Sequence, residues 1–474
     1  MRPKKNEKRY IPKPLKELLQ NIEYKRKDDL YCIIDLIYRK QVYFRNKLQE
    51  HYGYCQIAIA SFENIVPSKE RVMAGIAFLI EQGIIKRNEY YVRSLEAKGY
   101  KVCREYLGTK TPVEITDDKI NKAIQAYRNK TKKVRVAKME YEKSKYYKTF
   151  KIMVPEALQA AKDKAIWEIH TLLLNLKYSL SNDQINDVLE CTGEFIKHRN
   201  IILSLENGRE LHNILHRLMV HQQHIYSIAD GFLYFKRNDT NGRLNTNLTS
   251  MPTYLRKFII SDDTLVNLDI KNSQPYFLYT KLRNEPGLDK AEVERYGNLV
   301  VTGQIYEYFS EVYEKATGRR KERLAVKKML FKIFYSKVTS FPNYKDVFRS
   351  VFPSIMEYID AANHVHYNTL AIAMQTMESH AILDVVMPAC KAVGITPLTV
   401  HDSFIVSEKE APIVKEIFER CFQQMFELVP SMHYEYLCEL VQDDNEDELD
   451  ELFFLTDGYD NDDESVILET FYLR

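Results

Sequence analysis

Two short stretches of the chain place a carboxylate where an apolar strand gives out. In LVNLDIKNSQP, Asp269 follows Leu265, Val266 and Leu268 and precedes Ile270, so an acid stands at or near a strand end. Left unpaired in a buried strand it is costly, and alone it reads more simply as a cap for the next helix. In ITPLTVHDSFIVS, two apolar runs flank His401-Asp402-Ser403, which puts a second acid and an imidazole at the tip of a hairpin. Asp and Ser are ordinary turn residues, so this too is weak by itself. The third stretch, RLAVKKMLFKIFYSK, repeats Arg323, Lys327, Phe331 and Tyr335 every four residues. On a helix that set stays on one broad face about 18 Å long. Its cations suit phosphates and its aromatics suit a base and sugar. The bland reading is a core helix with Phe and Tyr inside and the bases outside. Jointly, two acids and such a face describe phosphoryl transfer, in which paired carboxylates hold two metal ions about 3.5–4 Å apart. Oxygen ligands select magnesium.

These residues need strands and helices to position them, and the second half of the chain supplies both. Short apolar strands (Leu265 to Ile270, Leu398 to Val406) alternate with helical stretches at about 320–337 and 369–388. From about 155 to 235 the pattern is mostly helical. Residues 117 to 150 read as one or two long basic helices without Gly or Pro, either a linker or a surface lying along a duplex. Between about 55 and 100 the order is helix, stop, hairpin. Pro67-Ser68 opens a helix with Val72, Ile76, Leu79 and Ile80 on one face, Gly83 ends it, and Ile84-Ile85 and Tyr90-Tyr91-Val92 flank a turn at Asn88-Glu89. Lys69, Arg71, Lys86, Arg87 and Arg93 would give that unit a basic rim, suited to DNA phosphates or merely to water.

At 474 residues the chain is long enough for two or three packed units. No apolar run approaches the roughly 20 residues of a membrane span, and MRPKKNEKRYIPKP lacks the apolar stretch of a signal peptide, so a soluble, cytoplasmic protein with no membrane contact is expected. Seven scattered cysteines without a CxxC pair argue against a disulfide framework or a structural zinc site. The net charge of +2 averages a basic first 150 residues with an acidic stretch from Asp443 to Glu464.

The order and spacing of these motifs over residues 242 to 406 resemble the palm and fingers of family A DNA polymerases and the related single-subunit phage-type RNA polymerases. Asp269 in LDIKNSQP resembles the motif A aspartate. Arg323, Lys327, Phe331 and Tyr335 match motif B, and His401-Asp402 resembles motif C. Upstream, GRLNTNLTSMPTYLRKFI carries Gly242-Arg243, Pro252 and Arg256-Lys257-Phe258 in the family's order; downstream, MQTMESHAI places Gln375 as the minor-groove glutamine. The resemblance implies that Asp269 and Asp402, with the carbonyl of Ile270, hold two Mg2+ ions. It implies that Arg323 and Lys327 bind the triphosphate, Lys327 also protonating the leaving pyrophosphate, and that Phe331 stacks on the nucleotide. Tyr335 then shapes the sugar and templating-base pocket, His401 touches the primer end, and Arg243 and Gln375 read minor-groove acceptors. Substitutions of Arg323, Lys327 and Phe331 are expected to spare folding. Departures lie at Ser336, at Gln274 in place of a sugar-excluding Glu, and at Ser403, and no proofreading acidic triad stands before residue 240.

The implied fold class is α+β, a right-hand polymerase palm with helical fingers and thumb plus an N-terminal winged-helix-like region. Residues 1–115 form that region, 116–235 a basic linker and thumb-like helices, 236–440 the palm and fingers, and 441–474 an acidic tail. The expected activity is template-directed DNA synthesis for a plasmid, phage or other mobile element, by a monomer taking primer-template DNA and nucleoside triphosphates and reaching origin DNA through its N-terminal region. A primase or RNA polymerase, and a non-catalytic initiator with a polymerase-like fold, are the competing readings.

Overall fold

The computed structural model describes residues 6–43, 54–88, 97–106, 108–132, 139–190, 195–206, 208–364 and 366–439. Glu89 of the expected Asn88-Glu89 turn, the strand expected at Tyr90-Tyr91-Val92, Arg93 and the acidic stretch from Asp443 lie outside them.

The chain opens with β1 (Lys8–Pro12) and α1 (Lys27–Tyr43), then β2 (Cys55–Gln56), a short helix at Ile59–Glu63, and α2 (Lys69–Glu81). The side chain of Ser68 accepts from the Arg71 amide at the start of α2, as an N-cap should. Gly83 (φ 67°) turns the chain out of it. β3 (Ile85–Arg87) and β4 (Gly99–Val102) follow and form a sheet of order β2-β4-β3, while β5 (Lys110–Glu114) returns to pair with β1. Of the expected order of helix, stop and hairpin, the helix, the stop and the first strand are present, and that strand pairs with Gly99–Val102. Val72, Ile76 and Leu79 turn inward from α2 onto Leu30, Ile33 and Ile37 of α1.

The basic stretch divides into α3 (Asp118–Lys132) and α4 (Glu140–Thr149). Both pack. α3 lays Ile120, Ile124 and Tyr127 into the first core, and α4 lays Tyr146 into the second. α5 (Val154–Asn175) and α6 (Glu210–Ala229) then lie side by side. Ala157, Ala161 and Ala165 recur every fourth residue along the buried face of α5, where small side chains let the two backbones approach. Met219 and Phe232 join the first core, whereas Leu218, Ile225 and Ile228 belong to the second.

The remaining elements surround one sheet. β6 (Phe235–Arg237) and β7 (Leu244–Thr246) make a hairpin; β8 (Leu265–Ile270), β9 (Leu398–Val400), β10 (Ser403–Ser407) and β11 (Met432–Tyr436) form an antiparallel sheet of order β11-β8-β10-β9. The helices that matter below are α7 (Ser273–Leu282), α8 (Arg323–Tyr335), α9 (Thr369–Ser379) and α10 (Ala411–Phe426). Phe418 and Phe422 of α10 back the sheet, with Phe418 edge-on to Phe404 of β10. The long helix expected at 369–388 is α-helical only to Ser379. It widens into a π-helical stretch over His380–Val386 before Met387–Ala392, as such local widening does inside longer helices. Among the described residues no helix is long and apolar enough to cross a membrane, and the described cysteines are free thiols.

Candidate active site

β8 alternates. Val266, Leu268 and Ile270 are buried, and Leu265, Asn267 and Asp269 face the other way, half-buried. Asp269 therefore sits on the open face of the central strand rather than inside the core, and it does not cap α7, whose N-cap is Asn272. In register, Asp269 lies between Ser403 of β10 and His433 of β11. β9 and β10 are joined by His401 and Asp402 alone, with Val400 opposite Ser403. The amide of Ile270 donates to the carbonyl of Asp402 at 3.3 Å. Two acids that lie 133 positions apart in the chain thus border each other at one end of the sheet.

The hairpin tip is specialised. His401 holds a left-handed backbone (φ 52°), a conformation in which non-glycine residues are uncommon. Its Nδ1 is buried without a hydrogen-bond partner. Enclosure, together with the guanidiniums of Arg243 and Arg256, pushes the imidazole well below its usual range, so it is neutral. Ser403 donates its hydroxyl to the carbonyl of Val400 at 3.1 Å and is used within the hairpin.

α8 begins at Arg323. That side chain is exposed, pairs with Glu307, and rests 4.9 Å from the ring centre of Tyr306. Tyr306 is buried, and its phenol pKa is raised by that burial, opposed by Arg323 and reinforced by Asp402 and Asp269. Lys327 lies half-buried one turn on, 6.0 Å from the Phe331 ring. Phe331 is only 2% exposed and packs on Tyr335 at 5.7 Å between ring centres. The helix thus keeps its cations outward and its aromatics inward. An expected stacking surface on Phe331 is enclosed in this conformation.

Beneath α8 runs a buried polar network. Tyr335 donates its hydroxyl to Oε1 of Gln274 at 2.6 Å, and Nε2 of Gln274 donates to Oε2 of Glu378 at 2.5 Å. Ser273 donates to the same oxygen at 3.1 Å. Arg243 closes on Oε1, with Nε at 3.0 Å and Nη2 at 2.8 Å. Burial pushes the Glu378 carboxyl up to about 7 against the pull of Arg243, with Asp402 adding to the rise. Nearby, Asn241 donates to Oε1 of fully buried Gln375 at 3.0 Å. Gly242 is required here: its φ is 71°, and a Cβ would stand 2.9 Å from the Ser379 hydroxyl.

Asp269, Asp402, Ile270, His401, Arg243, Gln274 and Tyr335 are therefore gathered around one end of the sheet, and Arg323 lies over the ring of Tyr306. Arg243 and Gln375, expected to face a minor groove, are instead turned into the protein. Sequence reading passed over Tyr306 and Glu378. The signal for Glu378 was available: it follows Gln375 by three on α9 and shares a face with Leu370, Ala371 and Met374, an acid on an apolar stripe. The rim of α2 also needs correction. Arg71 is not exposed for phosphates, because Asp29 and Asp117 both bind it. Lys69 and Lys86 are exposed. A cavity of about 440 Å³ lies away from the acids, lined by Lys145, Lys148, Phe150, Phe235, Leu265 and Thr399 among others.

Among the described residues no group of three or more His, Cys, Asp and Glu could hold a metal unaided. Two carboxylates are nevertheless what magnesium commonly takes from a protein, with water and substrate phosphates completing its shell. An all-oxygen set from Asp269, Asp402 and the Ile270 carbonyl fits that habit.

The POL domain of Pol1 from M. smegmatis, in complex with DNA primer-template and dNTP, is similar at a TM-score of 0.40 and 14% identity, over 68% of this chain and 74% of that one. No protein-family model and no curated protein matches the chain.

Proposed function

We propose that the chain is a template-directed DNA polymerase, a nucleotidyltransferase of the two-metal kind, serving a plasmid, phage or other mobile element. The observation that carries this reading is the meeting of Asp269 and Asp402 at adjoining strand ends. Magnesium bound there would activate the attacking oxygen and neutralise charge on the leaving group. The chain's own residues have separate tasks. Asp269 and Asp402 would hold the ions, with the Ile270 carbonyl. Arg323 and Lys327 would meet the triphosphate, and Lys327 would return a proton to the leaving group. The neutral His401 would touch the primer end, and Gln274 with Tyr335 would bound the sugar.

The inward positions of Phe331, Arg243 and Gln375 imply a movement of α8 and α9 before nucleotide and duplex are both engaged, as is common for closing sites. The N-terminal order of helix, strand, helix, helix and two strands supports a winged-helix-like unit reaching origin DNA through Lys69 and Lys86. The test is primer extension by the full chain with separate dNTP and NTP pools. Magnesium-dependent extension with dNTPs, lost on chelation, is the expected result; no extension with either pool would overturn the reading.

A further inference from the structure

Gln274 is held at both ends, and the group that holds its far end comes from a different helix. Glu378 of α9 is 1% exposed, and its carboxylate receives four donors. Oε1 serves Arg243, while Oε2 serves Ser273 and Gln274, which stand four and five positions after Asp269. Arg243 favours the ionised form of Glu378 against its burial, and in that form the carboxylate only accepts, so the amide nitrogen of Gln274 faces Glu378 and the amide oxygen faces the phenol of Tyr335. Charge-assisted bonds of this kind are short and directional.

We propose that Glu378 is a positioning residue for sugar selection, fixing Gln274 as a stiff wall of the nucleotide pocket. This rests on the polymerase reading above. Untethered, a glutamine amide can swing and donate to a 2′-hydroxyl, which admits ribonucleotides; tied between Tyr335 and Glu378, its bulk stays in place and its orientation is set. A plain buried ion pair with Arg243 would need no bond to Gln274. Here one carboxylate oxygen is given wholly to the segment that follows the metal-binding strand.

The test is single-nucleotide incorporation by the full chain, scored as the ratio of kcat/KM for a dNTP to that for the matching NTP. Glu378→Gln keeps the volume but sets amide against amide. Glu378→Asp keeps the charge for Arg243 but draws back from Gln274. Each is expected to lower the ratio on the order of tenfold, chiefly through faster NTP use, and Gln274→Ala should do the same. In the Gln274→Ala background neither should lower it by more than about twofold, because the effect passes through that side chain. Melting temperatures identify any variant that does not fold, and the two substitutions fail differently, so one reports if the other is lost. Equal slowing of dNTP and NTP, or a loss that adds in full to Gln274→Ala, overturns the positioning role while leaving the polymerase intact. A folded wild type that extends with neither pool overturns the polymerase reading instead, and this role with it.

Discussion

The hydroxyl of Tyr335 donates to Oε1 of Gln274 at 2.6 Å, tying the last turn of α8 to the first turn of α7. The bond links the helix that carries Arg323 and Lys327 to the segment that follows Asp269. Any tilt of α8 therefore acts directly on Gln274.

Asp269→Asn and Asp402→Asn should each reduce primer extension by about a thousandfold or more, because charge on the transferring phosphate loses its counter-ion. Duplex affinity, measured by mobility shift, should change by less than about threefold, since phosphate contacts elsewhere supply it. Near-normal extension by either variant would remove both acids from the metal site.

Arg323→Ala should raise the apparent KM for nucleotide by about tenfold through loss of a phosphate contact. Stability should move by less than about 1 kcal/mol, because the Glu307 pair that it breaks is half in solvent on both sides. Thermal melts and steady-state kinetics on one preparation separate the two effects.

Phe331→Ala behaves differently from what its sequence position suggests. The ring is 2% exposed, so truncation should destabilise the fold by about 3–5 kcal/mol instead of sparing it. Denaturant midpoints measure this. A midpoint equal to that of the wild type would mean that the ring spends its time outside the core.

The contrast shows what was legible in the sequence. β8, the β9–β10 hairpin and α8 stand where their periodicity put them, because local patterning decides strand ends, tips and helix limits. Partners brought from far along the chain were not legible. Arg71 reads as a surface cation until Asp29 and Asp117 arrive beside it, and Gln274 reads as a lone gate until Glu378 arrives from 104 positions away. Periodicity finds faces; it does not say which faces meet.

Arg71→Ala should accordingly cost about 3 kcal/mol, since it leaves the buried Asp29 carboxylate with only its longer pair to Arg26, and should not specifically weaken DNA binding. Lys69→Ala with Lys86→Ala should leave stability unchanged, weaken duplex affinity and reduce the slope of log K against log salt by about two. Full-chain titrations at several salt concentrations distinguish them. An unaltered slope in the double variant would take α2 and β3 away from the phosphates.

Acid should unfold the middle of the chain. His224 is pushed down to about 4 and His221 well below its usual range, both chiefly by burial on α6, so both are neutral in the fold. The unfolded chain takes up protons below about 6.5, so this stability is complete above that value and is lost as pH falls toward 4. Denaturation at pH 7.5 and pH 5 should show the loss, and His224→Gln should flatten it. A midpoint independent of pH over this range would place both rings in water.

α6 gives Met219 to one apolar core and Leu218 to the other, and Lys110 of β5 reaches Gln223 of α6 at 2.5 Å. The helix is a shared axle. Swivelling the N-terminal unit against the β8–β11 sheet would expose oil-like surface on one side or the other, so the two are held at a set angle. The unit is unsuited to life as a detachable module: grafted onto another enzyme without α6, it would arrive with a hole in its centre.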